Sequence, residues 1–190
     1  NILILPNVAW DTTMLIEKPN IIFKDHTEWF LETINFLKDF KNINVIIRPH
    51  PAEKIFNCAD NVNNLYKKNF EIENFYILDQ LTSINTYGLV DACDLIIIYT
   101  SDIGWESTLR NKPVVSGGKG PSWGKNITYD SKSQNEYYSV IKRLIYNKCP
   151  KEELFQRKSL AEKFMLLYMV KIFHKFPFPI GSFWTPETDD

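Results

Sequence analysis

The segment 48–51, which reads RPHP, combines residue types that can bind an anion. It follows the apolar run 44–47, which predicts a buried strand, so its side chains leave the sheet at the carboxyl end of that strand. The two prolines keep the backbone extended and direct His50 away from the sheet edge. Arg48 offers the bidentate geometry that phosphates favour, and His50 and Lys54 offer further donors. The alternative is a proline-stiffened turn with solvated charges.

A second polar segment, residues 100–102, follows the apolar run 95–98 and opens a short predicted helix. Both polar segments therefore follow strands at their carboxyl ends, where open α/β sheets bind their ligands. Backbone N–H groups at the start of the helix, beside Thr100 and Ser101, favour an anion. Asp102 is expected to cap that helix rather than to act as a catalyst.

A glycine-rich loop, residues 117–120, follows a further apolar run. Gly118 and Lys119 resemble part of a phosphate-binding loop, and Trp123 and Lys125 are expected to line the same cleft. The loop lacks the glycine and lysine spacing of an ATPase, and the dinucleotide fingerprint is also absent, so neither class of enzyme is indicated. A plain flexible loop is the alternative.

Apolar runs and helix-period segments alternate along the chain, which predicts an α/β fold. The apolar runs are continuous, as in strands that are buried on both faces. We therefore predict a Rossmann-like, mainly parallel sheet with helices on both faces. This domain covers residues 1–175, and an aromatic and proline-rich tail, 176–190, is expected to cross a surface. The predicted strands are 2–5, 44–47, 75–78, 95–99 and 113–115, and the predicted helices are 27–40 with Thr27 as cap, 62–68, 83–92, 133–146 and 151–174.

The composition argues against several classes of function. A formal net charge of -1, without a long Lys/Arg block, gives no indication of nucleic-acid binding. The three cysteines are widely spaced, which indicates neither a zinc site nor a disulfide framework and fits a reducing cytoplasm. His26 and His174 have no companion ligands at metal spacing and are expected at the surface or at helix caps, so no metal is predicted. No apolar run reaches the length of a membrane span.

Taken together, the motifs resemble the C-terminal half of bacterial capsule and surface-polysaccharide glycosyltransferases. The resemblance rests on RPHPAE after an apolar strand, on the Thr-Ser-Asp tip with Glu106 in the next helix, and on NKPVV with its glycine-rich loop. It extends from LPNVAWDT at 5–12 to GKNITYD at 124–130. Enzymes of this family have the GT-B architecture, in which two Rossmann-like domains face a cleft and the C-terminal domain holds most of the nucleotide-sugar donor.

The resemblance also implies roles for individual residues. His50 and Arg48 would contact the donor phosphate and stabilise the leaving nucleotide, and they are the predicted catalytic residues. Glu106, in the first turn of the predicted helix after the Thr-Ser-Asp tip, would bind the ribose by accepting hydrogen bonds from its paired hydroxyls, as acidic residues do in dinucleotide sites. The alternative is that Glu106 only complements the helix dipole. Residues that follow the first strand would contact the acceptor or the donor sugar. The remaining members of the predicted nucleotide site are Ser101, Thr100, Lys119, Gly118 and Lys54, and the residues after the first strand are Asn7, Trp10, Asp11 and Thr12.

The resemblance further implies the partners of the protein. The donor is a substrate and not a resident cofactor, and CMP- or CDP-linked sugars are favoured because capsular Kdo transferases and teichoic-acid glycerophosphotransferases use cytidine nucleotides. The acceptor is a glycan or a glycolipid, and the general base comes from a separate N-terminal GT-B domain. No nucleic acid takes part. We expect a cytoplasmic protein, with peripheral association at the cytoplasmic face of the inner membrane.

Two other functions stay open at this point. One is a polyol-phosphate transferase domain that uses a CDP-linked donor. The other is a non-catalytic glycan-assembly or export module that has the same fold without turnover. In the leading interpretation the chain binds a nucleotide but does not catalyse transfer without its partner domain.

Overall fold

The computed structural model describes residues 1–8, 22–59 and 61–172. Within these residues the strands are β1 (Ile2–Leu5), β2 (Val45–Ile47), β3 (Phe75–Ile77), β4 (Leu95–Ile98), β5 (Val114–Ser116) and β6 (Tyr129–Asp130). They form one sheet in the order β3-β2-β1-β4-β5-β6, and all neighbouring strands are parallel. The order reverses between β1 and β4, which makes their carboxyl ends the switch point at which such sheets bind ligands. The predicted Rossmann-like parallel sheet is confirmed, and β6 is an addition to it.

The helices of the described residues alternate with the strands as the sequence predicts. The first helix begins at His26 and not at Thr27, because the side chain of Asp25 accepts a hydrogen bond from the Glu28 N–H (2.8 Å) and caps it. The prediction that Thr27 is the cap was therefore wrong. The helices are α1 (His26–Leu37), α2 (Ala52–Ile55), α3 (Val62–Asn69), α4 (Thr86–Ala92), α5 (Ile103–Leu109), α6 (Gln134–Tyr146) and α7 (Lys151–Met165), and a π-helical segment, Leu166–Ile172, continues α7.

The core consists of two apolar layers, one on each face of the sheet. Successive side chains of a strand point to opposite faces, so Ile2 and Ile4 pack in the layer under α1 and α6, whereas Leu3 and Leu5 pack in the layer under α4 and α5. Both sets are buried, which explains why the strand sequences are continuously apolar. Helices cover both faces, as predicted.

His26 is part of the core, although the sequence predicted a surface or cap position for it. Its ring is 3% exposed and contacts the rings of Trp29 and Tyr99, each with centroids 5.5 Å apart. Burial lowers the pKa of His26 to about 4, against the opposing effect of the Asp25 charge. The residue is therefore a neutral core histidine. His174, the tail 176–190 and the predicted sugar contacts of residues 10–12 lie outside the described residues.

Candidate functional site

A cavity of about 360 Å³ lies at the carboxyl edge of the sheet, on the side of α4 and α5. The structure brings together there two polar motifs that are about fifty residues apart in sequence, with Arg48 and His50 from the β2 end and Ser101 and Glu106 from the β4 end. These are four of the predicted site residues. The other lining residues are Leu5, Pro6, Pro49, Pro51, Thr86, Tyr87 and Ile103.

Arg48 places a half-buried cation in this cavity. Its guanidinium donates hydrogen bonds to the carbonyl oxygens of Pro49 (3.2 Å) and Ile84 (3.4 Å), while its Nε is buried and has no hydrogen-bond partner among the described residues. No carboxylate of the described chain forms an ion pair with it. Partial burial lowers the pKa of the guanidinium, because desolvation disfavours its charged form. An anionic ligand would supply the missing counter-charge.

His50 is exposed at the mouth of the cavity, and its Nδ1 accepts a hydrogen bond from the backbone N–H of Ala52 (3.1 Å). A nitrogen that accepts a hydrogen bond carries no proton, so the ring proton of neutral His50 is on Nε2. This tautomer suits His50 as a hydrogen-bond donor to an anion. It suits a proton-donating imidazolium less well, because protonation of Nδ1 would break the bond to Ala52.

Glu53, the acidic residue of the RPHPAE motif, has a structural role that the sequence did not reveal. Its carboxylate is buried and accepts hydrogen bonds from the N–H of Val62 (3.3 Å) and from Nε2 of Gln80 (3.4 Å). Burial raises the pKa of Glu53, and the two hydrogen bonds oppose that shift. These contacts join α2, α3 and the loop after β3, and so they fix the turn that carries His50. A carboxylate that caps a helix ordinarily lies within one turn of the helix start, whereas Glu53 lies far before the start of α3.

Glu106 is held by a residue that sequence analysis missed. The Tyr87 hydroxyl, from the start of α4, donates a hydrogen bond to Glu106 Oε2 (2.8 Å). Asp102 directly precedes α5, but its carboxylate accepts from the indole N–H of Trp105 (3.1 Å) and forms no side-chain cap with the backbone. The predicted N-cap position of Asp102 is therefore confirmed, although its side chain contributes no capping hydrogen bond. No local pattern connects Tyr87 with Glu106, because they lie on different helices.

Four predicted site residues do not line the cavity. Thr100 is buried, and its backbone N–H donates to Oδ1 of Asn7 (3.2 Å), which ties together the ends of β1 and β4. A Cβ on Gly118 would lie 2.8 Å from Thr100 Cγ2, so the glycine is required for close packing. Lys54 and Lys119 are exposed outside the lining.

The loop that contains Lys119 is a packed turn. Gly120 approaches β4 closely, since a Cβ on it would lie 2.4 Å from the carbonyl oxygen of Thr100. The ammonium of Lys125 donates to the carbonyl oxygens of Pro121 (2.7 Å) and Trp123 (3.3 Å) and closes the turn. The glycines of this loop thus permit close packing against Trp29 of α1 and against the segment that follows β4.

A larger cavity, of about 590 Å³, lies at the opposite edge of the sheet, at the amino ends of β1 and β4. The ammonium of Lys112, one of its cations, donates to the carbonyl oxygens of Asp91 (2.7 Å) and Cys93 (2.8 Å), so its hydrogen bonds are used within the fold. The smaller cavity is the better candidate because it lies at the switch point and contains Arg48.

Two further searches of the described residues gave negative results. No cluster of His, Cys, Asp and Glu side chains in residues 1–8, 22–59 and 61–172 has the arrangement needed to hold a metal ion. Over the same part of the chain, no helix combines the length and the apolar character of a membrane span.

Comparison with solved structures supports the fold. The structure resembles the S. aureus MnaA–UDP co-structure (TM-score 0.52, 15% identity, covering 95% of this chain and 48% of that one). It also resembles the UDP-GlcNAc 2-epimerase from Neisseria meningitidis bound to UDP-GlcNAc (TM-score 0.54, 14% identity, covering 90% of this chain and 44% of that one). A match to Thermosulfurimonas dismutans KpsC, a beta Kdo 2,7 transferase, has a TM-score of 0.48, 21% identity, and coverage of 68% and 38%. This chain spans less than half of each of those proteins.

Comparison with curated protein sequences gives no match. A family model described as "Capsule polysaccharide biosynthesis protein" matches residues 23–169, which include both polar segments of the cavity and the glycine-rich loop. This match covers most of the sequence, and it agrees with the resemblance carried by the RPHPAE and Thr-Ser-Asp motifs. The chain belongs to the capsule polysaccharide biosynthesis protein family.

Proposed function

We propose that this chain is the donor-binding half of a GT-B glycosyltransferase in capsule polysaccharide synthesis, and that the cavity at the carboxyl edge binds the nucleotide of a nucleotide sugar. The observation that carries the proposal is Arg48, a half-buried guanidinium in that cavity without an acidic partner in the described chain. A buried cation without a counter-ion is costly, and a phosphate group would offset the cost.

The lining of the cavity fits both parts of a nucleoside phosphate. Arg48, His50 and Ser101 supply hydrogen-bond donors for the phosphate, whereas Glu106 supplies an acceptor for hydroxyl groups. A simple anion would donate no hydrogen bond to the Glu106 carboxylate, and a neutral sugar would supply no counter-charge for Arg48. The chemistry of the site therefore favours a ligand that contains both a phosphate and a diol.

In glycosyl transfer these residues would act on the leaving group. The nucleotide gains negative charge as the glycosidic bond breaks, and preorganised donors that meet this charge lower the barrier. Arg48 can hold two phosphate oxygens at once, and Nε2–H of His50 can donate to a third. The base that deprotonates the acceptor would belong to the partner domain of the GT-B fold. The glycan or glycolipid acceptor would enter from that side.

The identity of the nucleoside base is a separate part of the proposal. The resemblance to Kdo and glycerophosphate transferases favours cytidine, whereas two proteins of similar fold carry UDP or UDP-GlcNAc in their structures. A panel of CMP, CDP, UDP and GDP therefore covers the relevant ligands. The alternative of a non-catalytic assembly module predicts that none of them binds.

Binding of this panel to the 190-residue chain, measured by thermal shift and then by calorimetry, tests the proposal. We expect at least one nucleotide to bind, and Arg48→Gln to weaken its binding by about 10- to 100-fold, the equivalent of roughly 1.5–3 kcal/mol for a charged hydrogen bond. Lys67→Gln is the matched control, because it removes one positive charge from an exposed position on α3 outside the cavity. Equal losses for the two variants, or no binding by the wild type, would contradict the proposal.

A further inference from the structure

Tyr87 and Glu106 form a contact across the mouth of the cavity that no local sequence pattern requires. Tyr87 is the second residue of α4 and Glu106 lies in α5, and the hydroxyl of the first donates to a carboxylate oxygen of the second at 2.8 Å. Both residues line the cavity. Hydrogen bonds from a hydroxyl to a carboxylate belong to the stronger, charge-assisted class.

Neighbouring residues hold Tyr87 in place from two sides. The Asn85 side chain accepts hydrogen bonds from the backbone N–H groups of Tyr87 (2.8 Å) and Gly88 (3.1 Å), which caps α4 and fixes the backbone of Tyr87. The Arg110 guanidinium lies over the Tyr87 ring, 5.4 Å from its centroid. The tyrosine is therefore a preorganised donor, although its ring is 41% exposed.

Asp91 keeps Arg110 away from Glu106. Arg110 lies four residues after Glu106, at a spacing that pairs opposite charges on a helix. One edge of its guanidinium, formed by Nε and Nη2, instead donates to the Asp91 carboxylate, from Nε to Oδ1 (2.8 Å) and from Nη2 to Oδ2. These bonds hold the pKa of Asp91 below its usual range. Glu106 makes no ion pair within the described residues, so its carboxylate keeps its capacity to accept hydrogen bonds.

We propose that Tyr87 is a positioning residue that orients the Glu106 carboxylate to accept hydrogen bonds from the vicinal diol of a ligand, which in the proposed function is the ribose of the nucleotide. A free glutamate on a helix surface samples several rotamers, and the bond from Tyr87 restricts this set before the ligand arrives. Burial, followed by the Glu106 carboxylate, raises the pKa of Tyr87, so the hydroxyl stays protonated and can donate at neutral pH. This inference rests on the proposed function.

The test compares how well the chain distinguishes a ribonucleotide from its 2′-deoxy analogue, with the pairs CDP/dCDP and UDP/dUDP measured by calorimetry. The measured ratio is the Kd of the 2′-deoxy nucleotide divided by the Kd of the ribonucleotide. We expect Tyr87→Phe to lower this ratio by about fivefold, because it removes one hydrogen bond that orients Glu106. The ring and its packing are retained. Tyr76→Phe is the matched control, since Tyr76 is also an exposed tyrosine but lies on β3 outside the cavity, and it should leave the ratio unchanged.

A double variant makes the test independent of small changes in folding. If Tyr87 acts through Glu106, the Tyr87→Phe change should have no further effect on the ratio once Glu106→Gln is present. A wild-type ratio in Tyr87→Phe, or additive effects in the double variant, would overturn the positioning role and leave the proposed function intact. Failure of the wild-type chain to bind any nucleotide of the CMP, CDP, UDP and GDP panel would overturn both.

Discussion

His26 is expected to make the stability of the fold depend on pH. The pKa of this buried histidine is about 4 in the folded chain, against an ordinary value of 6.5. At a pH between these two pKa values, the unfolded chain binds a proton at His26 that the folded chain does not bind. The free energy of unfolding therefore falls as the pH falls from 6.5 towards 4, and this contribution is constant above 6.5. The gap between the two pKa values corresponds to about 3 kcal/mol.

Urea unfolding of the wild type and of His26→Gln across this pH range measures the effect. Glutamine has a similar size and does not titrate, so the difference between the two proteins isolates the imidazole. Buried carboxyl groups such as Glu53 and Asp130, whose pKa values are raised by burial, titrate in both proteins and cancel in the difference. We expect the wild type to lose about 3 kcal/mol relative to the variant between neutral pH and pH 4. Parallel pH profiles would refute a buried neutral His26.

Three further predictions concern the site and the core. His50→Ala should weaken nucleotide binding by roughly 10-fold or more while the chain stays folded, since His50 is an exposed donor; calorimetry with unaltered affinity would remove it from the site. Lys119→Ala should change the affinity by less than about twofold in the same assay, because an exposed charge outside the cavity is screened. Tyr137→Phe should lower the free energy of unfolding by about 1–3 kcal/mol, because it leaves the buried indole N–H of Trp29 without its 2.9 Å acceptor; chemical denaturation with no change would contradict this packing.

The parallel sheet could be predicted because its sequence signal is local. Each strand is a continuous apolar run, and the structure buries side chains of these runs on both faces, as with Ile2 and Leu3 of β1. The meeting of Arg48 with Ser101 and Glu106 was also predictable, since the carboxyl ends of all strands in a parallel sheet lie at the same edge.

The features that sequence analysis missed all depend on how elements pack together. Tyr87 reaches Glu106 only because α4 and α5 lie side by side, and Glu53 caps a helix that begins well after it. The burial of His26 depends on contact with Tyr99 from a distant strand. Gly118 resembled a phosphate-loop residue by composition, whereas the structure requires a glycine there for approach to Thr100. Neither periodicity nor motif spacing contains such information.

The location of the bound nucleotide distinguishes the carboxyl-edge cavity from the amino-edge cavity. Backbone amide NMR spectra of the chain, recorded during titration with the nucleotide that binds best, report which residues the ligand contacts. We expect the largest shifts around the carboxyl-edge cavity, at Ala52, Tyr87 and Ser101, and we expect them to diminish in Arg48→Gln. Shifts centred instead on the cavity at the amino edge, near Lys112, would contradict nucleotide binding at the carboxyl edge.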